Sequence, residues 1–264
     1  MAEYKLWTIS DEPSTRMKQI PNLFTLLNLV FGCIAIIYIF KDDGFLMTSA
    51  AGTFSMGLIV AGVYIFLAAV VDFLDGFVAR LFKATSDMGA QLDSLADAVT
   101  FGVAPGMIMY RLLQLALTKA AMPVGDIWYL LPALLIPCCA VWRLAKFNLD
   151  KEQTYYFKGV PTPAAGLMIA SLPFIVNTTN SWAEAWLSNP YILYAIIVLV
   201  SFLMVSNIPL ISLKFKNFSV KSNTDKFVLL LIAVLSIIFL KWLAVPVIFI
   251  AYVLLSLIFR PNKA

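Results

Sequence analysis

Apolar runs long enough to cross a bilayer follow one another along almost the whole of this chain. A span needs about 20 predominantly apolar residues. Stretches of that kind predict helices near 23–40, 54–82, 89–117, 127–148, 162–180, 190–212, 226–242 and 245–260. Only Leu243 and Ala244 separate the last two. A single helix of about 34 residues, at about 1.5 Å each, would far outreach the hydrocarbon core, so a tight hairpin is expected there. Composition agrees: 61% of the 264 residues are hydrophobic and 13% charged, where soluble domains average about 45–50% apolar and about 25% charged. A water-soluble globular enzyme is excluded. The expectation is an all-α fold, a polytopic membrane helix bundle of about eight transmembrane helices.

Eight spans put both termini on one side, and the basic residues test that topology independently. Of the 19 Lys and Arg, all but Lys41, Arg111, Lys119 and Lys241 fall on one face. Cytoplasmic loops carry the excess of positive charge, so both termini are expected to be cytoplasmic, in the inner membrane. The net charge of +4 is mostly this topology signal, although a basic rim also suits anionic lipid headgroups; nothing points to nucleic acid. Residues 1–20, with Glu3, Asp11 and Glu12, read as a polar cytoplasmic arm and not as a signal peptide. A six-span core over 21–217 and an additional two-helix segment over 218–264 complete the expected organisation. The absence of histidine excludes a histidine base, a histidine nucleophile and most zinc sites. Cys33, Cys138 and Cys139 lie in apolar runs and read as buried small hydrophobes, not as a disulfide framework.

Against this apolar background stand Asp72, Asp75, Asp93 and Asp97. An Asp near the centre of a span costs about 2.5–3.5 kcal/mol on insertion scales, so four of them require compensation. At about 100° per residue, Asp72, Asp75, Gly76 and Ala79 share one stripe of their helix, and Gly89, Asp93 and Asp97 share one stripe of the next. The short connection between the helices lets the stripes face each other. Converging carboxylates repel unless protonated or bridged by cations, and hard oxygen ligands suit Mg²⁺, Mn²⁺ or Ca²⁺. A divalent, two-metal site is the economical reading. The small residues leave room for a large ligand close to the backbone. Arg80 could pair with a phosphate or simply with a neighbouring Asp. A single intramembrane Asp is as readily a helix contact as a functional group; four in two facing stripes are not.

Asp72, Asp75, Gly76, Ala79, Arg80, Gly89, Asp93 and Asp97 match in full the pattern D-x2-D-G-x2-A-R-x8-G-x3-D-x3-D. In this the chain resembles the CDP-alcohol phosphotransferase family. The resemblance implies that the first three aspartates ligate Mg²⁺ or Mn²⁺ at the CDP diphosphate, with Gly76, Ala79, Arg80 and Gly89 around it. It also implies that Asp97 is the general base and a ligand of a second ion. The surrounding sequence is similar to the phosphatidylserine synthase branch. The similarity is carried by I-P-N-L-F-T-L-L-N-L at 20–29, L-D-S-L-A-D-A-V-T-F-G-V-A-P at 92–105, W-R-L-A-K-F-N at 142–148 and G-V-P-T-P-A-A-G at 159–166. Lys146 and Val160 depart from the usual residues of that branch. The branch implies CDP-diacylglycerol and L-serine as substrates, a homodimer, and a cytidine site bordered by Asn22 and Thr25 at the start of the first span. On physics alone, Pro21-Asn22 is an ordinary helix beginning.

Serine is zwitterionic, so its pocket should offer a cation to the carboxylate, and an arginine fork suits that group best. Arg143 is the first choice, followed by Lys146 and Lys158, with Ser94 beside Asp93 as a further lining residue. For each lysine the plain reading, a basic cytoplasmic loop, weighs at least as much. Two other readings stay open at this point. One is transfer to glycerol 3-phosphate or an inositol phosphate, and the other is a cation-coupled transporter, since intramembrane aspartates also mark ion pathways.

Overall fold

The computed structural model describes residues 15–41, 46–49, 52–82, 86–122, 126–149, 157–177, 181–211 and 223–259. They form an all-α bundle of the kind expected of an integral membrane protein. Its helices are α1 (Thr15–Phe40), α2 (Met56–Leu81), α3 (Asp87–Asp97), α4 (Ala104–Lys119), α5 (Leu135–Leu149), α6 (Thr162–Asn177), α7 (Ser181–Leu187), α8 (Pro190–Val205), α9 (Thr224–Leu240) and α10 (Ala244–Ile258). The stretches Pro21–Phe40, Met56–Leu81, Asp87–Lys119 and Thr224–Ile258 are long and apolar enough to cross a membrane, and Thr162–Val176 and Pro190–Val205 are shorter apolar helices.

Thr224–Ile258 is not one rod. The chain turns at Lys241, where φ is +51°, and α9 and α10 pack against each other as the expected hairpin. Asp87–Lys119 is continuous but irregular, because residues Ala98–Val103 take a π-helical turn between α3 and α4. Such insertions shift the register of the helix and concentrate at functional sites.

Elsewhere the elements depart from the hydropathy reading for identifiable reasons. The polar arm expected through residue 20 has become helix by Thr15; its first fourteen residues lie outside the described ones. The stretch from 127 begins as two 3₁₀ turns, Ile127–Tyr129 and Leu131–Leu134, and Pro132 has no N–H to give an α-helix there. α8 stops at Val205, before Pro209. The chain then runs extended as β4 (Pro209–Leu210), antiparallel to β3 (Phe157–Lys158), with Phe157 opposite Leu210. A second pair, β1 (Leu46–Ser49) with β2 (Gly52–Ser55), joins α1 to α2. Strands of two and four residues are too short to show a period of two against an apolar background.

α1 and α2 are antiparallel: Thr25 meets Asp75 near one end, and Tyr38 stacks on Tyr64 at 5.7 Å near the other. α4 and α6 lie in the interior, where Ile108, Met109, Leu113, Leu117 and Ile169 are wholly buried. Gly32 lets α1 approach the π-helical turn, since a Cβ there would lie 2.9 Å from the Cα of Thr100. At the end opposite Asp75, Lys119 pairs with Glu184 of α7 at 2.9 Å. Ile37, Leu67, Phe73, Phe239 and Ile258 face outward, as the surface of a lipid-embedded bundle does. That also corrects the reading of the cysteines: Cys33 and Cys138 are exposed and Cys139 half-buried. In a membrane bundle the outer face is apolar too, so an apolar context does not imply burial.

Candidate active site

Three elements meet at one end of the bundle. α2 contributes Asp72 and Asp75, and α3 contributes Asp93 and Asp97. The two carboxylate stripes face each other as the spacing predicts, but not by direct helix packing. α2 and α3 touch little; each packs against α1 instead, so a cleft opens between them. A cleft of about 170 Å³ is lined by Pro21, Asn22 and Thr25 from α1, Asp75, Gly76 and Ala79 from α2, and Ser86, Gly89, Ala90 and Asp93 around α3.

Asp72, Asp75 and Asp93 each present a carboxylate oxygen within 4.8 Å of the other two. Asp97 is not in that group of three; it is buried and lies within hydrogen-bonding reach of Asp72. The donor set is carboxylate oxygen throughout, which fits a hard divalent cation and not a thiophilic one. Thr25 Oγ1 lies 3.0 Å from Asp75 Oδ2 and 3.2 Å from the Pro21 carbonyl oxygen. A hydroxyl has one proton, and the shorter, charge-assisted contact takes it, so Thr25 orients the Asp75 carboxylate.

Pro21 and Asn22 do not open the helix, as the sequence suggested, but sit inside α1. Pro21 lacks the N–H that would bond back one turn, and the helix tolerates that loss at the edge of the cleft. Asn22 borders Gly89, where a Cβ would stand 3.0 Å from Asn22 Oδ1 and 3.1 Å from Ser86 Oγ. Ser86 caps α3, its Oγ accepting from the Gly89 N–H at 3.0 Å. Gly76 differs: a Cβ there would meet only the Arg80 guanidinium, at an ordinary 3.6 Å. Among the described residues, nothing in the packing demands glycine at 76. Arg80 is exposed, its guanidinium lies beside Gly76, and it is within electrostatic reach of Asp75.

Asn28 was not singled out by the sequence. It is wholly buried, its Nδ2 donates to Asp97 Oδ1 at 3.4 Å, and its backbone carbonyl accepts from Thr100 Oγ1 at 3.2 Å. The available signal was the spacing of Asn22, Thr25 and Asn28, three polar residues on one face of an apolar helix.

Arg143 on α5 is buried. Its Nη1 donates to Thr162 Oγ1 at 3.1 Å, its guanidinium lies 5.6 Å from the Phe147 ring centre, and it is within electrostatic reach of Asp97 and Tyr252. Its Nε has no hydrogen-bond partner among the described residues. Lys146 bonds Asn207 beyond α8. Ser94 Oγ accepts from Asn148 Nδ2 at 2.9 Å and lies 3.1 Å from the Ala90 carbonyl oxygen, tying α3 to the end of α5. The backbone of Lys158 is in β3; its side chain lies outside what the structure describes. Arg143 is thus within electrostatic reach of Asp97, neither Arg143 nor Ser94 is among the residues that line the cleft, and Lys146 is engaged with Asn207.

Comparison with known proteins gives the family. The family model described as CDP-alcohol phosphatidyltransferase matches residues 18–213. A relative from Helicobacter pylori, named CDP-diacylglycerol–serine O-phosphatidyltransferase, is 31% identical over 258 residues, covering 92% of this chain and 96% of its own. Relatives of the same name occur in Mycobacterium tuberculosis, 34% identical over 245 residues with 88% of this chain and 75% of that one covered, and in Bacillus subtilis, 35% identical over 161 residues with 61% and 78% covered. The match spans most of the chain and includes all four aspartates, and the chain belongs to the CDP-alcohol phosphatidyltransferase family.

Proposed function

We propose that this protein transfers the phosphatidyl group of CDP-diacylglycerol to the hydroxyl of L-serine, giving phosphatidylserine and CMP. The observation that carries the reading is that Asp97 has two unlike surroundings within reach. One is the carboxylate cluster beside the cleft, suited to a divalent cation and a diphosphate. The other is a buried arginine suited to an amino-acid carboxylate. The shared name of the relatives supports the same donor and acceptor.

Asp72, Asp75 and Asp93 would hold Mg²⁺ or Mn²⁺, with Asp97 completing a second ion's set, and ions held there would supply positive charge against the donor's pyrophosphate. Gly76, Ala79 and Gly89 leave the space in which the diphosphate lies against the backbone, Arg80 reaches it from the rim, and Asn22 and Thr25 border the cytidine. Arg143 receives the serine carboxylate, with Ser94, Lys146 and Lys158 around it. Asp97 takes the hydroxyl proton of serine. The serine oxygen then bonds to the phosphorus that bears diacylglycerol, while the bond from that phosphorus to the CMP oxygen breaks and CMP leaves with the electron pair. Positioning and charge neutralisation supply most of what such a displacement needs.

The reading includes eight spans, with 21–217 as the catalytic core and both termini and the active site on the cytoplasmic side of the inner membrane. In keeping with the family resemblance, it also includes a homodimer. The test is CMP release by purified protein from CDP-diacylglycerol. Release should require both L-serine and Mg²⁺ or Mn²⁺; release with glycerol 3-phosphate or an inositol phosphate in place of serine would overturn the acceptor assignment.

A further inference from the structure

The α9–α10 hairpin lies beyond the residues that the family model matches, and its outer face looks like ordinary lipid-facing sequence. On its second helix, α10, two buried polar residues stand one turn apart, Tyr252 and Ser256. Both act on a single residue of another segment. Tyr252 OH donates to the Ile211 carbonyl oxygen at 3.1 Å, and Ser256 Oγ accepts from the Ile211 N–H at 3.2 Å while donating to the Tyr252 carbonyl oxygen at 2.7 Å. Both backbone polar groups of Ile211 are therefore satisfied by side chains of α10. In a membrane-embedded bundle an unmet backbone group is costly, so these bonds fix where the chain leaves β4.

From Ile211 an unbroken series of contacts leads to the acceptor side of the site. β4 pairs with β3. The Gly159 N–H donates to the Ile208 carbonyl oxygen and the Val160 N–H to the Leu203 carbonyl oxygen, both at 3.0 Å. Gly159 has φ +77°, and a Cβ there would stand 2.5 Å from the Met204 carbonyl oxygen, so the segment is seated in a way only glycine permits. Three residues on, Thr162 opens α6 and accepts from Arg143. Tyr252 closes the circuit, since it also lies within electrostatic reach of Arg143.

We propose that the C-terminal hairpin is part of the acceptor site, with Tyr252 and Ser256 as positioning residues. By holding Ile211 they hold β4 and β3, and through that strand pair they set Thr162 and the Arg143 guanidinium for the serine carboxylate. The inference rests on Arg143 being that carboxylate's partner. It makes acceptor recognition depend on a segment that contributes nothing to the carboxylate cleft.

The experiment measures the KM for serine and for CDP-diacylglycerol separately, in full-length Tyr252→Phe, Ser256→Ala and Arg143→Ala. Tyr252→Phe and Ser256→Ala should each raise the serine KM roughly three- to tenfold, the factor that one net hydrogen bond carries, and leave the CDP-diacylglycerol KM within about twofold. Arg143→Ala should raise the serine KM further. If Arg143→Ala raises it and the two α10 variants do not, or if they change both KM values in proportion, the inference is overturned and the arginine assignment stands. If Arg143→Ala leaves the serine KM unchanged, the arginine assignment fails and takes the inference with it. Ser256→Ala keeps the tyrosine in place, so an unfolded Tyr252→Phe does not decide the matter.

Discussion

In the proposed reading, the groups that meet the donor come from one continuous stretch between Asp72 and Asp97, together with one face of α1. The acceptor end proposed above rests instead on α5, α6, the β3–β4 pair and α10, and most of the bonds that hold these together run to backbone atoms far away in sequence. The donor end is mostly direct: its carboxylates converge beside the cleft proposed for cation and diphosphate, and Thr25 and Asn28 steer two of them. The acceptor end is indirect, with one arginine set by a relay of ordinary structural contacts. Substitutions at the two ends should therefore fail differently, the first set in turnover or donor affinity and the second in acceptor affinity.

The largest effect expected is from Asp97→Asn. Removing a general base lowers turnover by about a hundred- to ten-thousand-fold, and the amide still fits beside Asn28. Donor binding, measured directly with CDP-diacylglycerol and Mn²⁺, should remain measurable. A variant that keeps near wild-type turnover would remove Asp97 from its pivotal place between the two ends.

Gly76→Ala gives a smaller and more diagnostic effect. Alanine stabilises a helix interior by up to about 1 kcal/mol over glycine, and the new methyl would meet only Arg80 at ordinary contact distance. Thermal stability should hold or rise, while the donor KM rises about tenfold because the methyl fills space meant for the diphosphate. Gly89→Ala is the counterpart, since its methyl would press on both Asn22 and the Ser86 cap; it should lower stability as well. Equal loss of stability in both would mean that Gly76 serves packing and not the ligand.

The same contrast explains what could be read from the sequence. Asp72, Asp75, Asp93 and Asp97 were legible because charge in a membrane helix is conspicuous and helical spacing alone puts each pair on one face. That the last two apolar runs fold as a hairpin was legible from length against membrane thickness, although the turn falls at Lys241, slightly before the expected Leu243–Ala244. The relay from Ser256 to Arg143 was not, since Ile211, Gly159 and Thr162 have no local pattern that announces their partners; tertiary packing decides them. Asn28 and the π-helical turn after Asp97 fall between these cases. The polar face of α1 was visible, but its target was not, and a π turn leaves no signal in apolar periodicity. The separation of α2 from α3 was also hidden, because facing stripes say nothing about how close the two helices come.

The smallest effect expected is the one that tests the division itself. Ser94 lies on α3 next to Asp93 and, in the proposed reading, beside the serine pocket. Its oxygen is already engaged, accepting from Asn148 and lying against the Ala90 carbonyl, and Asn148 is exposed, so water can replace the lost partner. Ser94→Ala should therefore change the serine KM by no more than about twofold and stability by no more than about 0.5 kcal/mol, with Asn148→Ala behaving alike. A serine KM raised about tenfold by Ser94→Ala, with no change from Asn148→Ala, would mean that this hydroxyl leaves its partner to bind the acceptor. α3 would then carry a ligand contact to each substrate, and direct contact would extend across both ends of the site.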